Sequence, residues 1–154
     1  MAVLAAVALL GAAGCGGDEQ SESGYREEAN AICEEAERKL EALPEPSTTA
    51  DLERYLRQAI EISKDSDREF RALEPPAELR AQHRRAIRLS RRGERLIETL
   101  LDDLAAGEPS LKTLQRMLPE LEDIGRESNA LARRMKLPDC VTPLTAPGSA
   151  PEPS

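Results

Sequence analysis

The chain has 154 residues, of which 32% are charged and 2% aromatic, and its formal net charge is −8. An acidic total of that size excludes the basic footprint that nucleic-acid partners require, and the length allows one domain with a single core. Ala, Leu, Glu and Arg dominate, while Gly and Pro stand mainly between apolar-periodic segments, which favours helices over strands.

The first 14 residues, MAVLAAVALLGAAG, form an apolar run too short to cross a hydrocarbon core that needs about 20 apolar residues. Their length and small-residue end suit a signal peptide. The run stops at a cysteine, and Ala12, Ala13, Gly14 and Cys15 resemble the lipobox of bacterial lipoproteins, in which small residues precede a cysteine that becomes the lipidated first residue of the mature chain. Ala12 stands where leucine is most usual in that family, and no Lys or Arg precedes the apolar run. The resemblance implies a signal peptide over residues 1–14, a lipid on Cys15 and a domain held at the extracytoplasmic face of the cell membrane; residues 15–22 read as a short lipidated tether ahead of that domain.

Four helical patterns follow. Ser23 is placed to cap the first, with Tyr25, Ala29, Ile32, Cys33, Ala36, Leu40 and Leu43 at helical spacing until LPEPSTT breaks it. Thr48 or Thr49 opens the second; with Thr48 as N-cap, Asp51 falls at the third helical position, and Leu52, Tyr55, Ala59, Ile62, Ser66, Phe70 and Leu73 form its inward face. Pro75 and Pro76 stop it and pre-set the next first turn.

The third pattern, Leu79, His83, Ala86, Ser90, Gly93, Ile97, Leu100 and Leu104, alternates steps of four and three, and Gly107 is placed as its stop. The fourth runs from about Pro109 through Leu111, Leu114, Leu118, Leu121, Gly125, Ser128, Ala132 and Met135. Pro119 within it predicts a kink or a division into two. Residues 141–154 cannot bury enough surface to order themselves and read as a flexible tail.

Alternating three-four spacing on successive helices with short connections predicts an all-α fold, an antiparallel up-down four-helix bundle over residues 23–140. Many inward positions are small, so the helices are expected to approach closely around a thin core. The three cysteines are an odd count for an exported protein; lipidation of Cys15 explains one and leaves Cys33 and Cys140 as a disulfide pair. No C-x-x-C occurs and the only histidine, His83, is far from both, so no metal and no cofactor is expected.

A Tyr-x-x-x-Ala-Asn-Ala-Ile-Cys opening from Tyr25 to Cys33, a Leu-x-Pro-Pro from Leu73 to Pro76 and a Leu-x-x-Cys from Leu137 to Cys140 together resemble small exported proteins and lipoproteins of actinobacterial type. That resemblance implies the same disulfide and a helical fold, and it implies no activity.

No catalytic residues are expected. Acids such as Glu27 with Glu28 and Asp102 with Asp103 are adjacent and so diverge on a helix, the serines lie in no G-x-S-x-G context, and no phosphate loop is present. His83 reads as a partly buried bundle-end histidine, since Arg80 and not Glu stands three residues before it. The exceptional stretch is RAQHRRAIRLSRRGERL, residues 80–96, whose Arg80, Arg84, Arg85, Arg88, Arg91, Arg92 and Arg95 fall opposite the apolar stripe. Either the face is solvated and balanced by the acidic first helix with Glu94 and Glu98, or Arg80, Arg84, Arg88, Arg91 and Arg95 contact an anionic surface. The function expected is a non-enzymatic binding or scaffolding module, anchored to the membrane through Cys15 and facing anionic lipid or an acidic envelope partner. A carrier that holds a small apolar ligand in the bundle seam is the alternative.

Overall fold

The computed structural model describes residues 21–107 and 110–142; Cys15, the lipobox and the tail beyond Thr142 lie outside them. The described chain is all-helical. Helix α1 spans Glu22–Glu41, α2 Thr49–Ala72, α3 Arg80–Ala105 and α4 Ser110–Met135, with single 3-10 turns at Ala77–Leu79 and Pro138–Cys140. Among the described residues no helix is long and apolar enough to cross a membrane.

The helix ends follow local chemistry. Ser21, not Ser23, caps α1: its Oγ accepts the Gly24 N–H at 3.1 Å, because the hydroxyl that counts lies three residues before an orphan amide. Thr48 caps α2 as the spacing predicts, accepting the Asp51 N–H at 3.1 Å while its hydroxyl donates to Asp51 Oδ2 at 2.8 Å. The Pro75–Pro76 doublet leads into the 3-10 turn at Ala77–Leu79 before α3 begins. Gly107 follows α3 with φ of +76°, the left-handed stop expected of it.

Helix α4 is continuous across Pro119, which is not a point of division. Position 119 is exposed, so the ring stands on the solvent side, where the carbonyl it leaves unpaired can be hydrated. The end of α4 is a Schellman turn built without glycine. Lys136 takes φ of 61°, and the Leu137 N–H returns to the Ala132 carbonyl at 2.9 Å.

Packing is sequential: α1 lies on α2, α2 on α3 and α3 on α4, and the Pro138–Cys140 turn returns to α1. The main core gathers Tyr25 and Ala29 from α1, Leu79 and Leu89 from the α3 region, and Leu131, Ala132, Met135 and Leu137 from the end of α4. Cys33 and Cys140 are bonded there, with Cα atoms 5.1 Å apart. Val141 and Thr142, which the sequence assigns to the tail, continue this structure. The Asn129 amide donates to the Thr142 carbonyl at 2.7 Å and accepts its N–H at 3.0 Å.

The inward faces are broader than the predicted stripes. Ile60 and Asp67 are the buried residues of α2, Leu89 and Leu101 join Leu100 in α3, and Thr113, Met117, Ile124, Asn129 and Leu131 are buried in α4. None of these except Leu100 belongs to the predicted alternation. Each of the others lies one residue before or after a predicted position, because a helix with packed neighbours buries a wider sector than a single three-four stripe covers. Close approach also fails at one predicted small residue: a Cβ placed on Gly93 would come no nearer than 4.0 Å to Ile124 Cγ2.

Candidate functional site

Three features stand out, beginning with an aromatic cluster. Tyr25 from α1, Phe70 from α2 and His83 from α3 are joined where those helices meet. The phenol oxygen lies 2.9 Å from His83 Nδ1, and the Phe70 ring stacks on the imidazole with centroids 4.7 Å apart. Burial holds the Tyr25 hydroxyl well above its ordinary range, and it pushes His83 below the usual imidazole value, with Arg84 adding to that effect and Asp67 opposing it. Both groups are therefore neutral at neutral pH. The single histidine is engaged with protein on two sides, and no cluster of metal-ligating residues is present among the described residues.

The second feature is a cavity of about 260 Å³ beside the disulfide. Ile32, Phe70, Leu131, Met135 and Leu137 make its apolar wall, with Cys33 and Cys140 at one side; Asp67, Ser66, Ser90 and Ser128 also line it. Asp67 is 5% exposed. The Arg71 Nε atom is 3.3 Å from its Oδ2, close enough for an ion pair, yet that N–H donates instead to the Asp67 main-chain oxygen at 3.0 Å. Oδ2 is left with no hydrogen bond, and so is the buried Oε1 of Glu94. Burial and then the charge of Asp67 raise the Glu94 carboxyl above its ordinary value, against the pull of Lys64 and Arg71.

The third feature is the arginine face of α3, and all seven arginines are exposed. Their partners are not those the sequence suggested. The acidic first helix pairs within itself, Glu22 with Arg26 and Glu35 with Arg38 and Lys39, while Glu98 pairs with Lys64 of α2. Balance comes from α4: Arg85 Nε donates to Glu127 at 2.7 Å and Arg92 Nε to Glu120 at 2.8 Å. Arg80 is engaged as well. Arg84, Arg88, Arg91 and Arg95 form no ion pair with any described residue. Steps of four, three and four put those four on one line along the outer side of α3.

Cys33 and Cys140 are brought together as expected, the arginines expected to meet an anion share one face, and Cys15 lies outside the described residues. Sequence reasoning passed over Asp67, since an acid in a helix is ordinarily assigned to solvent. Its one available signal was its step of four before Arg71, which places a cation beside it. Compared with family models, curated proteins and solved structures, the chain finds no match in any of the three.

Proposed function

We propose that this chain is a lipid-anchored, extracytoplasmic helical protein, similar to bacterial lipoproteins, that acts as a non-enzymatic binding or scaffolding module and rests the outer side of α3 on an anionic surface. The observation that carries this reading is the line Arg84, Arg88, Arg91 and Arg95, exposed and without an ion pair among the described residues, between arginines that do have partners. Like charges four residues apart on a helix repel by a few tenths of a kcal/mol. An external anion relieves that repulsion, and each well-placed arginine gains about 1 kcal/mol near an anionic leaflet at low salt.

The proposal includes an up-down-up-down course for the four helices. What supports it is that the start of α1, the end of α2, the start of α3 and the end of α4 meet through Tyr25, Phe70, His83 and Met135, the last accepting the Arg26 Nε–H at 3.0 Å on its carbonyl oxygen. A lipid on Cys15 then puts that end nearest the bilayer, and with it Arg84 and Arg88.

The test uses protein lacking residues 1–15 with anionic and with neutral liposomes. Binding is expected to the anionic vesicles alone, to weaken with salt, and to fall when Arg84, Arg88, Arg91 and Arg95 become Gln. Equal binding to both vesicles, or none, removes the docking reading. The anchor is checked separately by the intact mass of protein taken from membranes, where an unmodified Cys15 refutes it. A second reading, a carrier for a small apolar ligand, is favoured by the cavity of about 260 Å³ beside the disulfide.

A further inference from the structure

The cavity beside the disulfide joins an apolar wall to one buried carboxylate. Engineered apolar cavities of about 150 Å³ take up benzene, so a volume of about 260 Å³ admits a larger molecule. Size alone selects nothing beyond shape and hydrophobicity. The selection comes from Asp67, 5% exposed at the cavity wall, whose Oδ2 accepts no hydrogen bond.

A carboxylate removed from water without donors is costly by several kcal/mol, and one ion-pair neighbour offsets that cost only in part. Arg71 is that neighbour, and its nearest N–H is turned to a main-chain oxygen. Two hydroxyls that also line the cavity, those of Ser90 and Ser128, have no hydrogen-bond partner among the described residues, whereas Ser66 donates to the Ser63 carbonyl at 3.3 Å. An ammonium group carries three donors and no acceptor, which is the complement of one carboxylate and two hydroxyl oxygens.

We infer that this cavity is a binding site for a small amphiphilic cation, a primary ammonium on an apolar body, with the body against Ile32, Phe70, Leu131 and Met135 and the ammonium on Asp67. The inference rests on the carrier reading and narrows it from apolar ligands in general to cationic ones. A neutral ligand fills the same volume and leaves the carboxylate unsatisfied. An anionic one adds like charge beside Asp67.

The experiment titrates the full chain with three probes of one length, n-octylammonium, n-octanol and n-octanoate, followed by calorimetry and by the methyl resonances of Met135 and Leu131. The expected order of affinity is ammonium, alcohol, carboxylate. Asp67→Asn is expected to weaken n-octylammonium binding at least about tenfold while n-octanol binding is kept. Asp65→Asn, a change at an exposed acid on the same helix that pairs with Arg68, is expected to alter neither. Unchanged n-octanol affinity shows that Asp67→Asn has kept the cavity intact. If n-octanol binds and n-octylammonium is not preferred, or if Asp67→Asn leaves the preference in place, the inference is overturned and the carrier reading stands. If none of the three binds, both fall.

Discussion

Tyr25 and His83, 58 residues apart in the chain, share a buried hydrogen bond of 2.9 Å between the phenol oxygen and Nδ1. Tyr25 has no exposed surface at all, and the shifts that burial imposes leave both side chains neutral. The phenol proton needs an acceptor in the core, so the hydroxyl donates and His83 carries its own hydrogen on Nε2. Tyr25→Phe keeps the ring packed on Phe70 and leaves Nδ1 without a donor. The expected cost is about 1–3 kcal/mol in chemical denaturation; a loss below about 0.5 kcal/mol would show that another group satisfies the imidazole.

His83 also sets a pH dependence. Its folded pKa is depressed below the ordinary 6.5, so above that value both states are neutral and the group contributes nothing. As pH falls below it, the unfolded chain takes a proton that the folded chain resists, and stability declines by at most about 1.4 kcal/mol per pH unit until the folded pKa is reached. Glu94 works in the other direction. Its raised pKa penalises the folded state once it ionises, and stability recovers as pH falls through the raised value. The contribution of His83 is therefore read as a difference: between about pH 7.5 and about pH 5.5, wild type should lose more stability than His83→Asn. Parallel curves for the two proteins would contradict the depressed pKa.

Helix existence was legible because apolar periodicity and turn chemistry agreed. Thr48, Gly107 and the Cys33–Cys140 pair could all be named from local pattern and cysteine count. What could not be read was register. Which glutamates face Arg85 and Arg92 depends on how far α4 slides along α3, and nothing in either helix alone sets that distance. Glu120 and Glu127 lie seven residues apart, as do Arg85 and Arg92, so the match exists in sequence but is visible only once the helices are paired. Asp67 and Leu89 were missed for another reason. A helix with a neighbour on each side buries a wide sector, and a narrow stripe drawn through its centre omits the edges. Tyr25, Phe70 and His83 each fell on a predicted inward face, while their meeting is a property of three helices together.

The disulfide closes a long loop over a small core. Cys33 and Cys140 are separated by 107 positions, and the chain-entropy model gives a loop of about 100 residues ~4.7 kcal/mol, while loss of a native disulfide from a small domain typically costs about 2–5 kcal/mol. Reduction, or Cys33→Ser with Cys140→Ser, is expected to lower the denaturation free energy within that range. Helical circular dichroism should persist under mild conditions, since the caps at Ser21 and Thr48 do not involve the bond. Titration of two free thiols in protein purified without reductant would refute the pairing.

Two changes involving glycine should both stabilise the protein, for opposite reasons. Gly93 lies inside α3, where glycine costs about 0.5–1 kcal/mol relative to alanine through chain entropy. The nearest atom to an added Cβ would be Ile124 Cγ2 at 4.0 Å, an ordinary contact, so Gly93→Ala should gain about that amount. Lys136 is the reverse case. Its φ of 61° holds an L side chain in the left-handed region, at a cost of about 1–2 kcal/mol, because the Leu137 N–H must return to the Ala132 carbonyl to close α4. The side chain is exposed and forms no ion pair with a described residue, so Lys136→Gly gives up little and should gain about 1 kcal/mol. Both are measured as an upward shift of the urea midpoint at unchanged slope. A fall in the midpoint of Gly93→Ala would mean that α3 and α4 pack more tightly there than the 4.0 Å approach describes, and a fall for Lys136→Gly would mean that the lysine stem covers apolar surface at the end of α4.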